Sequence, residues 1–163
     1  MIKYTIAITL AFLALPAIAD SKKFSPFGIN LSETSEFYPV NIPAVPKEPV
    51  KVSPPNPLEM FQTYNVLFDY DALVYSVEAI GDIRNSKYSC NDLAQFLNNS
   101  FTQTYPEAEV FSYNGAIFAY QVKTSKTVYQ ASIGCQLNNI IYIIEDMGLK
   151  DRVENMTRPA VQL

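Results

Sequence analysis

The 163-residue sequence predicts an α+β domain: a small, mostly antiparallel sheet of five to six strands, covered by one main helix and stapled by one disulfide. Three observations carry this expectation. From Tyr64 onward the chain is a series of short runs rich in β-branched and aromatic residues, separated by turn residues. One stretch, about 89–105, instead places its apolar residues at helical spacing. The only two cysteines, Cys90 and Cys135, fall on that helix's apolar stripe and on the apolar face of a strand.

Residues 1–19 read as a secretory signal peptide. Lys3 supplies a basic start, Ile6 to Leu15 an apolar run, and Ala17-Ile18-Ala19 the small residues that precede cleavage. The run is shorter than the roughly 20 residues a spanning helix needs. The expected location is therefore periplasmic or secreted, with cleavage after Ala19 and no stable membrane insertion afterwards. Removing residues 1–19 leaves 11 basic against 16 acidic side chains, which speaks against nucleic acid as a partner.

Residues 20–38 form an N-terminal extension in which Phe27, Ile29 and Leu31 alternate with Gly28 and Asn30, the pattern of a short half-buried strand. Residues 39–57 hold seven prolines punctuated by Val40, Ile42, Val45, Val50 and Val52. A proline lacks the N–H that a central strand donates, so this segment is expected to strap along a sheet edge or face, with a mobile linker as the alternative.

The α+β domain proper is placed at 58–148. Its first hairpin pairs "YNVLFDY" with "LVYSVEAIGDI" across Asp71-Ala72. The helix follows, with Ser89 as N-cap answered by Asp92, an apolar stripe of Cys90, Leu93, Phe96, Leu97 and Phe101, and a stop at Pro106. The runs "AEVFSY", "GAIFAYQV", "TVYQASIGC" and "IIYIIED" then suggest an antiparallel meander. Tyr129, Ala131, Ile133 and Cys135 share one face of the third run. A helix packed on that face brings Cys135 to Cys90, and the even cysteine count suits an oxidising compartment. Residues 149–163 form a polar C-terminal tail with room for a short helix from Leu149 to Met156.

The sequence offers few chemical motifs. Without histidine, the usual serine-hydrolase triad and most catalytic zinc sites lack a necessary member. No catalytic, cofactor-binding or metal residues are assigned, and no cofactor is expected. Asp69, Asp71, Glu145 and Asp146 are the carboxylates that would serve a hydrolase, although acidic residues at a hairpin tip are ordinary turn chemistry. The loop 81–88, with Arg84 and Lys87 before the helix, and the strand pair Phe118 and Tyr120 form the candidate interaction surface.

Phe27, Gly28, Ile29 and Leu31, then Pro54, Pro55, Pro57, Phe61 and Tyr64, then Ala79, Ile80 and Gly81 together resemble a group of small exported bacterial domains. Those domains have an F-G-I-x-L opening, a PPxP…F-x-x-Y step and a second strand ending near A-x-G. The resemblance spans the first half of 20–163. It departs where a glycine usually follows the leucine, since Ser32 stands there. The group is of unknown function, so it implies a fold and a compartment and no catalytic residue.

The expected function is an exported, non-enzymatic binding or accessory module of the bacterial envelope, whose partner is a protein or an envelope component. A secreted inhibitor of a host or competitor hydrolase, acting through loop 81–88, is the first alternative. A carboxylate-based hydrolase is the second.

Overall fold

The computed structural model describes residues 24–34, 47–111 and 115–157. The predicted signal peptide, residues 39–46 of the proline-rich segment, Tyr113 and residues 158–163 lie outside them. The chain runs β1 (Val50–Val52), β2 (Thr63–Phe68), β3 (Val74–Asp82), α1 (Cys90–Thr104), β4 (Glu109–Val110), β5 (Ala116–Lys123), β6 (Val128–Gln136), β7 (Asn139–Asp146) and α2 (Met147–Thr157). The strands form one antiparallel sheet in the order β1-β2-β3-β7-β6-β5-β4. The α+β class is thus as expected, but with seven strands. The extra one is the short edge β1, too brief to leave a clear period in the sequence, while the opposite edge β4 falls within the run "AEVFSY".

The register explains the core. Val52, Tyr64, Ala79, Tyr142, Ile133 and Phe118 lie in one row across the sheet. Val50, Val66, Val77, Ile144, Ala131, Tyr120 and Val110 form the next row on the same face. Side chains alternate across a strand, so this face collects nearly every fully buried strand residue. The end of the proline-rich segment joins it. Val50 and Val52 pack against the core while Lys51 faces solvent, and Pro49 and Pro54 bracket the three residues that pair.

α1 covers this face over β5, β6 and β7. Ser89 caps it as predicted: its hydroxyl accepts from the Asp92 backbone N–H, and the Asp92 carboxylate accepts from the Ser89 N–H at 3.0 Å. Ala94, Leu97 and Phe101 are buried, and Cys90 bonds Cys135 of β6 as the two apolar surfaces require. Phe96 departs from the expected stripe. It lies one residue, about 100°, round the helix from Leu97, and it is 56% exposed.

The rest of the face is roofed by the N-terminal extension. Residues 26–28 form a 3-10 turn, not the expected strand. Phe27, Gly28 and Ser32 all take left-handed backbone angles, which a strand excludes. The apolar alternation instead reflects side chains tucked downward from an irregular segment, with Phe24, Ile29 and Leu31 buried. Phe24 stacks on Tyr105 and Tyr129, and Phe27 meets Phe61, Tyr64 and Tyr142 edge to face.

Gly28, Asn56, Met60, Tyr64 and Gly81 meet in close approaches beside this turn. A Cβ at Gly28 would stand 2.8 Å from Asn56 Nδ2, and one at Gly81 would stand 2.1 Å from the Met60 carbonyl oxygen. The Tyr64 hydroxyl accepts from the Leu58 N–H at 2.7 Å. Finally, α2 starts one residue after β7 and lies against β3, β6 and β7, burying Val153.

Candidate functional site

Between α1 and the start of β2 the surface sinks into a groove of about 610 Å³. Three segments build it. Leu58, Glu59, Met60 and Gln62 form one wall, brought close because Gly81 lets the Met60 carbonyl approach β3. Asp82, Ile83, Asn85, Ser86 and Tyr88 of the β3–α1 connection form the second. Leu93 and Phe96 of α1 form the third, Leu93 half-buried against the core and Phe96 standing out from it.

Two turns fix the connection. Ile83 N–H donates to the Asn138 carbonyl at 2.9 Å, and Ser86 N–H donates to the Ile83 carbonyl at 3.0 Å. The disulfide anchors the loop's far end at Cys90. Gln62 holds the wall from the other side, its Oε1 accepting from the Asp82 N–H at 2.7 Å. The groove is therefore shaped by backbone bonds and a covalent link, and its side chains remain at the surface.

The electrostatics of its rim are local. Arg84 forks onto the Asp82 carboxylate, and its hydrogen bonds hold that carboxyl well down, to about 2. Lys87 Nζ lies 5.1 Å from the centre of the Tyr88 ring, a cation–π contact. Neither basic side chain lines the groove, and Arg84 already has its anion. Loop 81–88 accordingly contributes an aromatic ring and a compact pair of opposite charges.

The other half of the sequence-derived candidate surface lies elsewhere. Tyr120 is buried on the helix-covered face, where its hydroxyl donates to Asn98 Oδ1. Phe118 packs on the same core face. The structure does not bring Phe118 and Tyr120 together with Arg84 and Lys87. Tyr88, Leu58 and Met60 were missed by sequence reasoning, and Phe96 was assigned to the buried stripe. Its offset from Leu97 on a helical wheel is the signal that identifies it as exposed.

The carboxylates also resolve into definite roles. Asp69 is fully buried; Oδ1 accepts from the Asp71 and Leu73 N–H groups, both at 2.9 Å, and Oδ2 pairs with Arg152. Asp146 is buried at the N-terminus of α2, accepting from the Ser32 and Thr127 hydroxyls and from the Leu149 N–H. Glu145 points to the opposite sheet face and pairs with Lys150 at 2.8 Å. Each of these carboxylates holds elements together. Among the described residues no group of three or more Asp, Glu or Cys side chains has the arrangement of a metal site.

No family model, curated protein or solved structure matches the chain, so the fold and the groove alone carry the functional reading.

Proposed function

We propose that this protein is an exported, non-enzymatic binding module of the bacterial envelope that captures an apolar segment of a partner protein in the groove between residues 58–62, loop 83–88 and α1. One observation carries the reading. Leu58, Tyr88 and Phe96, three of the large apolar side chains that the described surface exposes, line the same concavity. Scattered exposed apolar residues are ordinary, but a contiguous group on a concave, polar-rimmed surface is the usual form of a recognition site. Aromatic anchors in such a groove dominate binding energy, because they bury a large area at low entropic cost.

Export rests on the signal-like residues 1–19. It is supported by the disulfide and by the absence, among described residues, of a helix long and apolar enough to cross a membrane.

The test is photo-crosslinking in living cells. A photoreactive residue at Phe96 should give a discrete protein adduct, and one at Glu109, on the far edge strand, should not. Tyr88→Ala should remove the adduct without lowering the melting temperature, since its ring is half exposed. Identical adducts from both positions, or none from Phe96, would refute the reading.

A further inference from the structure

A second concavity lies on the other side of Leu58, between the 25–28 turn and α1, with a volume of about 260 Å³. Its floor is Tyr142 and Ile144 of β7. Phe27, Leu97, Phe101 and Tyr105 form its walls, while exposed Ser100 and Thr104 stand at its mouth.

Tyr142 is the unusual member. The residue is 8% exposed, yet no protein group among the described residues hydrogen-bonds its hydroxyl. Its neighbours on the same face are all satisfied: Tyr64 by the Leu58 backbone, Tyr120 by Asn98 and Tyr129 by Ser32. Buried polar groups in folded proteins are nearly always hydrogen-bonded. Tyr142 lines the cleft, so a molecule seated there can reach its ring and hydroxyl.

We infer that this cleft binds a small uncharged molecule built of one ring and a hydrogen-bond acceptor, with the ring among the aromatic walls and the acceptor on Tyr142 Oη. The size follows from the volume: an apolar cavity of about 150 Å³ holds benzene, so 260 Å³ accommodates a ring with a short substituent. The charge follows from the lining, which contains no ionised side chain to offset a buried charge. The donor role follows from the environment, since burial pushes the Tyr142 phenol well above its ordinary range and keeps it protonated. Phe27 adds a second sign of a built site. It holds a left-handed backbone (φ 54°) that places its ring on the cleft, secured by the Asn56 N–H on its carbonyl. The inference is independent of the groove on the other side of Leu58.

Acetophenone is a suitable probe, with cumene as the isostere lacking the acceptor and benzoate as the charged control. In titrations of the purified, disulfide-bonded protein followed by amide chemical shifts, acetophenone should saturate shifts at Gly28, Ser100 and Tyr105. Tyr142→Phe should weaken acetophenone roughly fivefold to tenfold, the value of one hydrogen bond, and leave cumene unchanged. Ser100→Trp, at an exposed helix position, should close the mouth and abolish both. Benzoate should not bind. Absence of saturable shifts with acetophenone at about 10 mM, or equal loss of acetophenone and cumene in Tyr142→Phe, would overturn the inference.

Discussion

At Ser32 the backbone takes a left-handed conformation (φ 64°), which costs any side chain bearing a Cβ. That strain accounts for glycine suiting this position. What serine adds is its hydroxyl, which donates to the buried Asp146 and meets the Tyr129 hydroxyl at 3.1 Å. Ser32→Ala should therefore be the worst replacement, losing about 2 kcal/mol because it keeps the strain and removes a donor from a buried carboxylate. Ser32→Gly should lie about 1 kcal/mol above it, since glycine adopts this angle freely. Urea unfolding midpoints would decide, and an alanine variant as stable as the glycine one would contradict the account. Gly81→Ala is the companion test. The new Cβ would stand 2.1 Å from the Met60 carbonyl oxygen, so the backbone must move, at a cost of about 2–4 kcal/mol. Both glycines of the likeness were visible in the sequence. The reasons for them were not, because close approaches between Gly81 and Met60, and between Gly28 and Asn56, join residues far apart in sequence and leave no local trace.

Among the elements, α1 was the most legible, since capping box, stripe and stop are all local signals. The hairpin β2–β3 and the meander β5–β6–β7 were legible for the same reason. β1 was not: three residues carry no period, and only proximity to the edge of β2 makes them a strand. α2 was legible as a short helix, Leu149 to Met156, at the head of a polar tail; its docking was not, since Arg152 ties it to Asp69, with a second contact to Asp71 at 3.2 Å. The pairing spans 83 residues and is invisible to any window of sequence. Replacing Arg152 by alanine should cost about 3 kcal/mol, because it leaves the fully buried Asp69 carboxylate without its cation. The disulfide offers the complementary test. With its cysteines 45 positions apart in sequence, the double variant Cys90→Ser/Cys135→Ser should lose about 4 kcal/mol on the chain-entropy model. Loss of the cross-link should leave the far edge intact, so amide exchange should quicken first around 83–93, where the groove lies. Uniform acceleration across the sheet would show that the staple serves global stability alone.

Taken whole, the molecule rests on tyrosine more than on charge, and its response to pH should show it. Burial raises the phenol of Tyr75 to about 12, assisted by the nearby Glu145 and Glu154 carboxylates. The phenols of Tyr64, Tyr105, Tyr120, Tyr129 and Tyr142 shift in the same direction, each chiefly by burial. A phenol raised on folding contributes stability that is complete below its unfolded value near 10 and is lost as pH climbs through the folded value. The unfolded chain releases those protons first, so alkali favours it. On the acid side the lowered groups are Asp82 and Asp92, both at the surface. Their contribution is complete above about 4 and fades as pH falls through their folded values, and exposure keeps it small. Stability measured by urea unfolding should thus be level from about pH 6 to 9 and fall steeply above about 10. Tyr75→Phe should flatten that limb, because its slope counts the protons that the unfolded state loses ahead of the folded one. Tyrosinate absorbance would provide the independent count, the share from the buried phenols appearing only with unfolding while the exposed Tyr70 and Tyr88 respond in the folded protein. An alkaline limb of the same slope in Tyr75→Phe and wild type would place the sensitive phenols elsewhere on the sheet. A limb lacking in both would mean that the buried tyrosines ionise in place.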